Sequence, residues 1–162
     1  MKNAKYIPTL VLAITSTLAT LSFADAAFAQ SAQPKMVAPG LVIPSMDVEN
    51  GRKLFGSKGC VVCHSINGLG GEDAPSLNAA DMDPQMNPFE FAAKMWRGAE
   101  AMVMLQRDEL GDVIELSGQE LADITAFVHN VEEQKNFSMD DVPEEMIELM
   151  EHAETEGEDA HG

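Results

Sequence analysis

Apolar residues gather into three stripes at helical spacing, divided by stretches rich in glycine, proline and polar side chains. Val48, Gly51, Leu54 and Phe55 share one face, and Asp47 stands where an N-cap belongs. A first helix is predicted from residue 48 to about residue 56. Asn87-Pro88-Phe89-Glu90 reads as a second helix start, with Asn as N-cap, Pro in the first turn and Glu two residues further on. That helix should reach Arg97 and stop at Gly98, with Phe89, Ala92, Ala93 and Trp96 on its buried face. Ser117-Gly118-Gln119-Glu120 is a capping box. It opens a last helix of about 14 residues with Leu121, Ile124, Phe127, Val128 and Val131 on one face. The pattern is that of an all-α domain.

Gly51 is costly inside a helix, which is explained if another helix crosses there and needs the space of a missing Cβ. Between the stripes, residues 67–77 carry Gly68, Gly70 and Gly71 and should form an irregular loop. Residues 78–87 read as loop again, and residues 105–116 are mixed. Residues 30–46 contain Pro34, Pro39 and Pro44 and no helical period. They read as an extended arm or linker. Val37, Leu41, Val42 and Ile43 then either lie against the domain or belong to a mobile leader.

The N-terminus reads as a secretory signal. Lys2 and Lys5 supply its positive region, residues 7–23 are mostly apolar, and Ala27-Phe28-Ala29 offers a cleavage site before Gln30. A cut after Ala24 is an alternative, and an uncleaved anchor is a second one. The apolar run is short and hydroxyl-rich for a membrane span, so export of a soluble domain of residues 47–131 to the periplasm is expected. The formal charge of the 162-residue chain is −17. Removing residues 1–29 takes away Lys2, Lys5 and Asp25 and leaves −18. Such a field disfavours nucleic acid and anionic membranes and favours partners with basic docking patches, although acidity also simply aids solubility.

The chemistry is concentrated in Cys60-Val61-Val62-Cys63-His64. This C-x-x-C-H spacing reads as covalent attachment of a c-type haem. Each thiol adds to one vinyl group of the porphyrin, and His64 offers an imidazole nitrogen to the iron as proximal ligand. A redox dithiol would be expected near a βαβ pattern, which is lacking. A structural zinc site would need a second cysteine pair, and the chain has only these two cysteines.

The run N-G-R-K-L-F-G-S-K-G-C-V-V-C-H-S-I, residues 50–66, resembles the opening of a class I, monohaem cytochrome c. The resemblance covers roughly residues 47–131. It implies a small fold of three main helices around one covalently bound haem. It also implies that Gly51 and Phe55 pack against the last helix. By the same resemblance, Pro75 is placed to accept a hydrogen bond from the axial histidine, and Met95-Trp96 to lie against the haem. The family commonly carries an iron-ligating methionine a few residues beyond such a Met-Trp pair, in a segment N-H-x-P-x-M. Met102 falls in that place, with Met104 as the alternative. Arg97, Gly98 and Glu100 stand here instead of Asn, His and Pro. If residues 99–104 are extended, Met102 and Met104 point to the same side and only one can meet the iron. His129 is read as a helix-surface histidine rather than a second ligand.

Residues 138–162 hold ten acidic residues and no Lys or Arg. Pro143 is suited to start a short helix with Met146, Ile147, Met150 and Ala153 on one face, and disorder is expected beyond Thr155. This tail is either a docking segment or a solvated one. The resemblance implies one-electron transfer between redox proteins, with no catalysis of its own. Two other readings stay open: the cytochrome subunit of a periplasmic dehydrogenase, and a gas-binding or sensing haem protein. In the cytochromes c′ that typify the last class, C-x-x-C-H sits near the C-terminus of the bundle, unlike here.

Overall fold

The computed structural model describes residues 35–159, with side chains to residue 153. The expected leader of residues 1–29, with both its cleavage points, lies outside the described residues. None of the described helices is long and apolar enough to cross a membrane.

The described part opens on an antiparallel hairpin, β1 (Lys35–Ala38) and β2 (Leu41–Ile43), turned at Pro39-Gly40. Gly40 has φ 77°, which a turn of this kind needs and which glycine adopts without strain. The arm is therefore a hairpin rather than a plain linker. Val37, Leu41 and Val42 are exposed and do not lie against the domain.

Helix α1 (Val48–Ser57) starts where expected, with the Asp47 carboxylate accepting from the N–H of Asn50 at 3.0 Å. Its buried face is Gly51, Phe55 and Gly56. A Cβ at position 51 would strike the carbonyl of Asp123 and the Cβ of Phe127 on α5 (Gly118–Val128), so the predicted close crossing is real. Phe55 meets Phe127 edge-on with ring centroids 5.8 Å apart. Asp123, 2% exposed, fastens the crossing: its carboxylate accepts from Asp47 N–H at 2.9 Å, Asn50 Nδ2 at 2.8 Å and Gln119 Nε2 at 2.8 Å. The capping box of α5 is formed, with Ser117 N–H donating to Glu120 Oε2 at 2.8 Å. The hydrogen bond from Lys58, with that from Ser117, draws the Glu120 carboxyl down to about 2. Its contribution to stability is present above the ordinary carboxylate range and is lost only as pH falls towards 2.

Two expectations about helix ends need correcting. The last helix does not run on through Val131. It closes at His129, and Asn130 caps a new short helix, α6 (Val131–Gln134), by accepting from Glu133 N–H at 2.8 Å. Val131 is consequently exposed and outside the core. Residues 99–104 are not extended either: α3 (Pro88–Arg97) pauses at Gly98 and continues as α4 (Ala99–Glu109). Ala, Glu, Met, Leu, Gln and Arg are all strong helix formers, and no proline interrupts them.

The face of α3 is also different. Phe91 is its buried residue and Met95 packs beside it, while Phe89 and Trp96 are exposed at 64% and 83%. The helix carries two apolar stripes, and the protein core takes the one spaced i, i+4 from Phe91.

The segment after α6 is core rather than appendage. Phe137 is buried and stacks edge-on to Phe55 at 5.4 Å. Val142 is buried, and the carbonyl of Asp141 lies where a Cβ on Gly56 would be. Arg52 of α1 ties this segment down, pairing with Glu133 at 2.7 Å and with Asp141. Helix α7 (Glu144–Asp159) then lays Met146, Ile147 and Met150 on the core. It continues past Thr155, where order was expected to end, and residues 160–162 lie outside the described part.

Replacing Phe137 with Ala should cost about 3–5 kcal/mol, as Phe55→Ala should, because each leaves a cavity in one aromatic cluster. Denaturant unfolding of both variants measures this. A neutral Phe137→Ala would return the segment to the status of a tail.

Candidate functional site

The short helix α2 (Cys60–Cys63) begins at Gly59, whose φ of 81° turns the chain sharply out of α1. One helical turn places Cys60 half-buried and Cys63 buried, with no disulfide between them. Burial pushes the Cys60 thiol up to about 12 and the Cys63 thiol up to about 11. Among the described residues no group of His, Cys, Asp and Glu has the arrangement of a metal cluster.

His64 ends the helix with extended backbone (φ −106°, ψ 139°). Its Nδ1–H donates to the carbonyl of Pro75 at 2.8 Å, which leaves Nε2 as the free electron-pair donor. The proline expected to hold the histidine is thus in contact with it. The loop that carries Pro75 is folded back along the motif by backbone bonds. Gly71 N–H donates to Val61 O at 2.9 Å, Ala74 N–H to Cys63 O at 3.0 Å and Leu77 N–H to Ser65 O at 2.8 Å. A Cβ on Gly71 would collide with the carbonyl of Val62, so glycine there permits the close approach. Asn67 and Gly68, both at positive φ, turn the tight hairpin in which Ile66 and Leu69 exchange their N–H···O bonds.

The donor set fits a covalently held haem. Two cysteines sit on one helical turn, the imidazole has a fixed tautomer, and a glycine loop packs on the backbone behind it. Cys60, Cys63 and His64 are the residues that could hold the group, with Pro75 behind them.

Met102 lies in the first turn of α4 and is half-buried, with its N–H bonded to Gly98 O at 3.1 Å. Met104 is 59% exposed. Two positions on a helix differ by about 200° around its axis, so the two side chains diverge instead of pointing to the same side. His129 is a packing residue: its Nδ1–H donates to Thr125 O at 2.8 Å and its ring meets Phe91 edge-on at 5.7 Å. It is half-buried rather than on the surface.

One residue behind the site was not anticipated. Gln134, 2% exposed, bonds to Ala79 N–H and to the carbonyls of Leu77 and Val128. A lone glutamine in a charged stretch carries no signal in the sequence.

Compared with curated proteins and with solved structures, the chain has no match. Residues 48–132, more than half of the chain, match the model of the Cytochrome c family. The matched span opens at α1, encloses the C-x-x-C-H turn and closes just after α5. The chain therefore belongs to the cytochrome c family, whose members hold haem c covalently and serve in electron transfer through its iron.

Proposed function

We propose that this protein is a periplasmic, diffusible carrier of single electrons. In this reading Cys60 and Cys63 form the two thioethers, His64 is the proximal iron ligand and Met102 the distal one. The observation that carries the reading is the His64 Nδ1–H bond to Pro75 at 2.8 Å. It commits Nε2 to the iron, orients the ring and raises its basicity. The haem supplies the chemistry, a one-electron exchange between Fe(II) and Fe(III).

Met102 is favoured over Met104 by its place relative to Trp96 and by burial. It is the half-buried member of the pair, at the start of a helix that packs only lightly on the rest of the protein. A thioether prefers Fe(II), so this ligand raises the potential. Trp96, which the core does not take up, then covers the macrocycle with its ring. The acidic surface supports a basic redox partner. Glu144, Glu145, Glu148 and Glu151 form the exposed side of α7, and the packed side lies along the Cys60–Cys63 turn. A role as a tightly bound subunit of a dehydrogenase would use the same face, and isolation of the exported protein alone or with a partner separates the two.

Three outcomes are expected. In acidified organic solvent the haem of the denatured protein should stay with the polypeptide; extraction would refute thioether attachment. Met102→Leu, which keeps bulk and removes sulfur, should abolish the ferric methionine–iron charge-transfer band and lower the potential, while Met104→Leu should change neither. The opposite result would move the ligand to 104. The rate of electron exchange with a basic redox protein should fall about tenfold or more between about 0.01 M and 0.1 M salt, as the Debye length shrinks from about 30 Å to 10 Å. A flat salt profile in stopped-flow measurements would remove the steering role.

A further inference from the structure

The loop behind His64 is not held by the haem motif alone. Gln134 closes α6, two residues beyond the span that matches the family. Its side-chain oxygen accepts from Ala79 N–H at 2.8 Å. Its amide donates to Leu77 O at 2.9 Å and to Val128 O at 3.3 Å. Its backbone carbonyl accepts from Asn67 Nδ2 at 3.2 Å. Both donor hydrogens of the amide and its oxygen are thus in use inside the protein. A buried amide in this state resists displacement, because any shift strands a polar group away from water.

The partners of Gln134 bracket the loop. Asn67 lies near its start, and Leu77 and Ala79 lie at its end. Pro75, whose carbonyl receives the imidazole proton, is two residues from Leu77. The fourth partner, Val128, is a fully buried residue of α5. Gln134 therefore references the loop to the buried end of α5.

We propose that Gln134 is a positioning residue for the axial imidazole. By pinning Leu77 and Ala79 to the end of α5, it fixes the reach of the Pro75 carbonyl to His64 Nδ1–H. That distance governs how much negative charge the carbonyl draws onto the ring, and so how strongly Nε2 donates. Strong donation favours the ferric state, and a loosened loop shifts the balance towards the ferrous one. The inference rests on His64 being the iron ligand.

The test uses the holoprotein with Gln134→Met, which keeps length and bulk and removes all three side-chain hydrogen bonds. The midpoint potential should move upward, and exchange of the His64 Nδ1 proton with solvent, followed by NMR, should quicken about tenfold. Asp123→Asn is the control, since it weakens the α1–α5 staple without touching the loop. It should lower thermal stability while leaving potential and proton exchange as in the wild type. Wild-type values of both in Gln134→Met, or equal shifts in the control, overturn the proposal. If Gln134→Met does not fold, native-state exchange of the wild type decides. Ala79 N–H and His64 Nδ1–H should open together, and faster exchange at His64 than at Ala79 overturns the clamp. Absence of hyperfine-shifted His64 resonances in the ferric wild type would instead refute His64 as ligand, and this inference with it.

Discussion

Helix α1 can lie against α5 only because residue 51 has no Cβ. The approach is so close that the carbonyl of Asp123 occupies the space a side chain would need. The aromatic core inherits its place from that contact. Phe55, one turn on, reaches Phe127, and only a few residues separate it from Gly59, where the chain turns into Cys60. The buried Asp123 carboxylate adds two hydrogen bonds across the same crossing and a third within α5, and fixes its register. A larger residue at 51 would force the helices apart and carry the C-x-x-C-H turn with them.

A domain of the size matched by the family buries little apolar surface by itself. Here the polypeptide beyond that span makes up some of the shortfall. Phe137 completes a cluster with Phe55 and Phe127, and Val142, Met146, Ile147 and Met150 extend it. Gly56 serves this second layer as Gly51 serves the first, since the Asp141 backbone lies where its side chain would be. Arg52 secures the layer by bonding two carboxylates from one guanidinium, a task its forked geometry suits better than a lysine would. The acidic C-terminal region is thus two things in one: a packed inner face and a charged outer one.

Much of this was legible in the sequence because the signals were local. Asp47, Asn87 and Ser117 are caps with one physical role, and each is bonded as its position demands. C-x-x-C-H and the glycine of the crossing are equally local. What was not legible depends on competition between near-equal options. Helix α3 has two apolar stripes, and nothing in the sequence says that Phe91 rather than Trp96 meets the protein. The break at Asn130 competes with an unbroken apolar period through Val131, and the side-chain cap wins. Residues 99–104 stand where the family pattern carries a proline, and without it their own helical propensity decides their conformation. The inward face of residues 137–150 was hidden by charge: the acids dominate the composition, while a few apolar residues decide the packing. Gln134 left no trace at all, since its partners come from three separate parts of the chain.

The pairing of Arg52 with Asp141 joins positions 89 residues apart. Together with Gly51 on Asp123 it means that α1, the first helix of the domain, finds its main partners in the C-terminal half of the chain. Contacts of such long sequence separation must wait for loop closure and lengthen the search for the native state. During synthesis the segment around Cys60 therefore emerges well before the helices that will bury it. Its thiols remain accessible for as long as the C-terminal half is missing, and the order of the elements along the chain sets that interval.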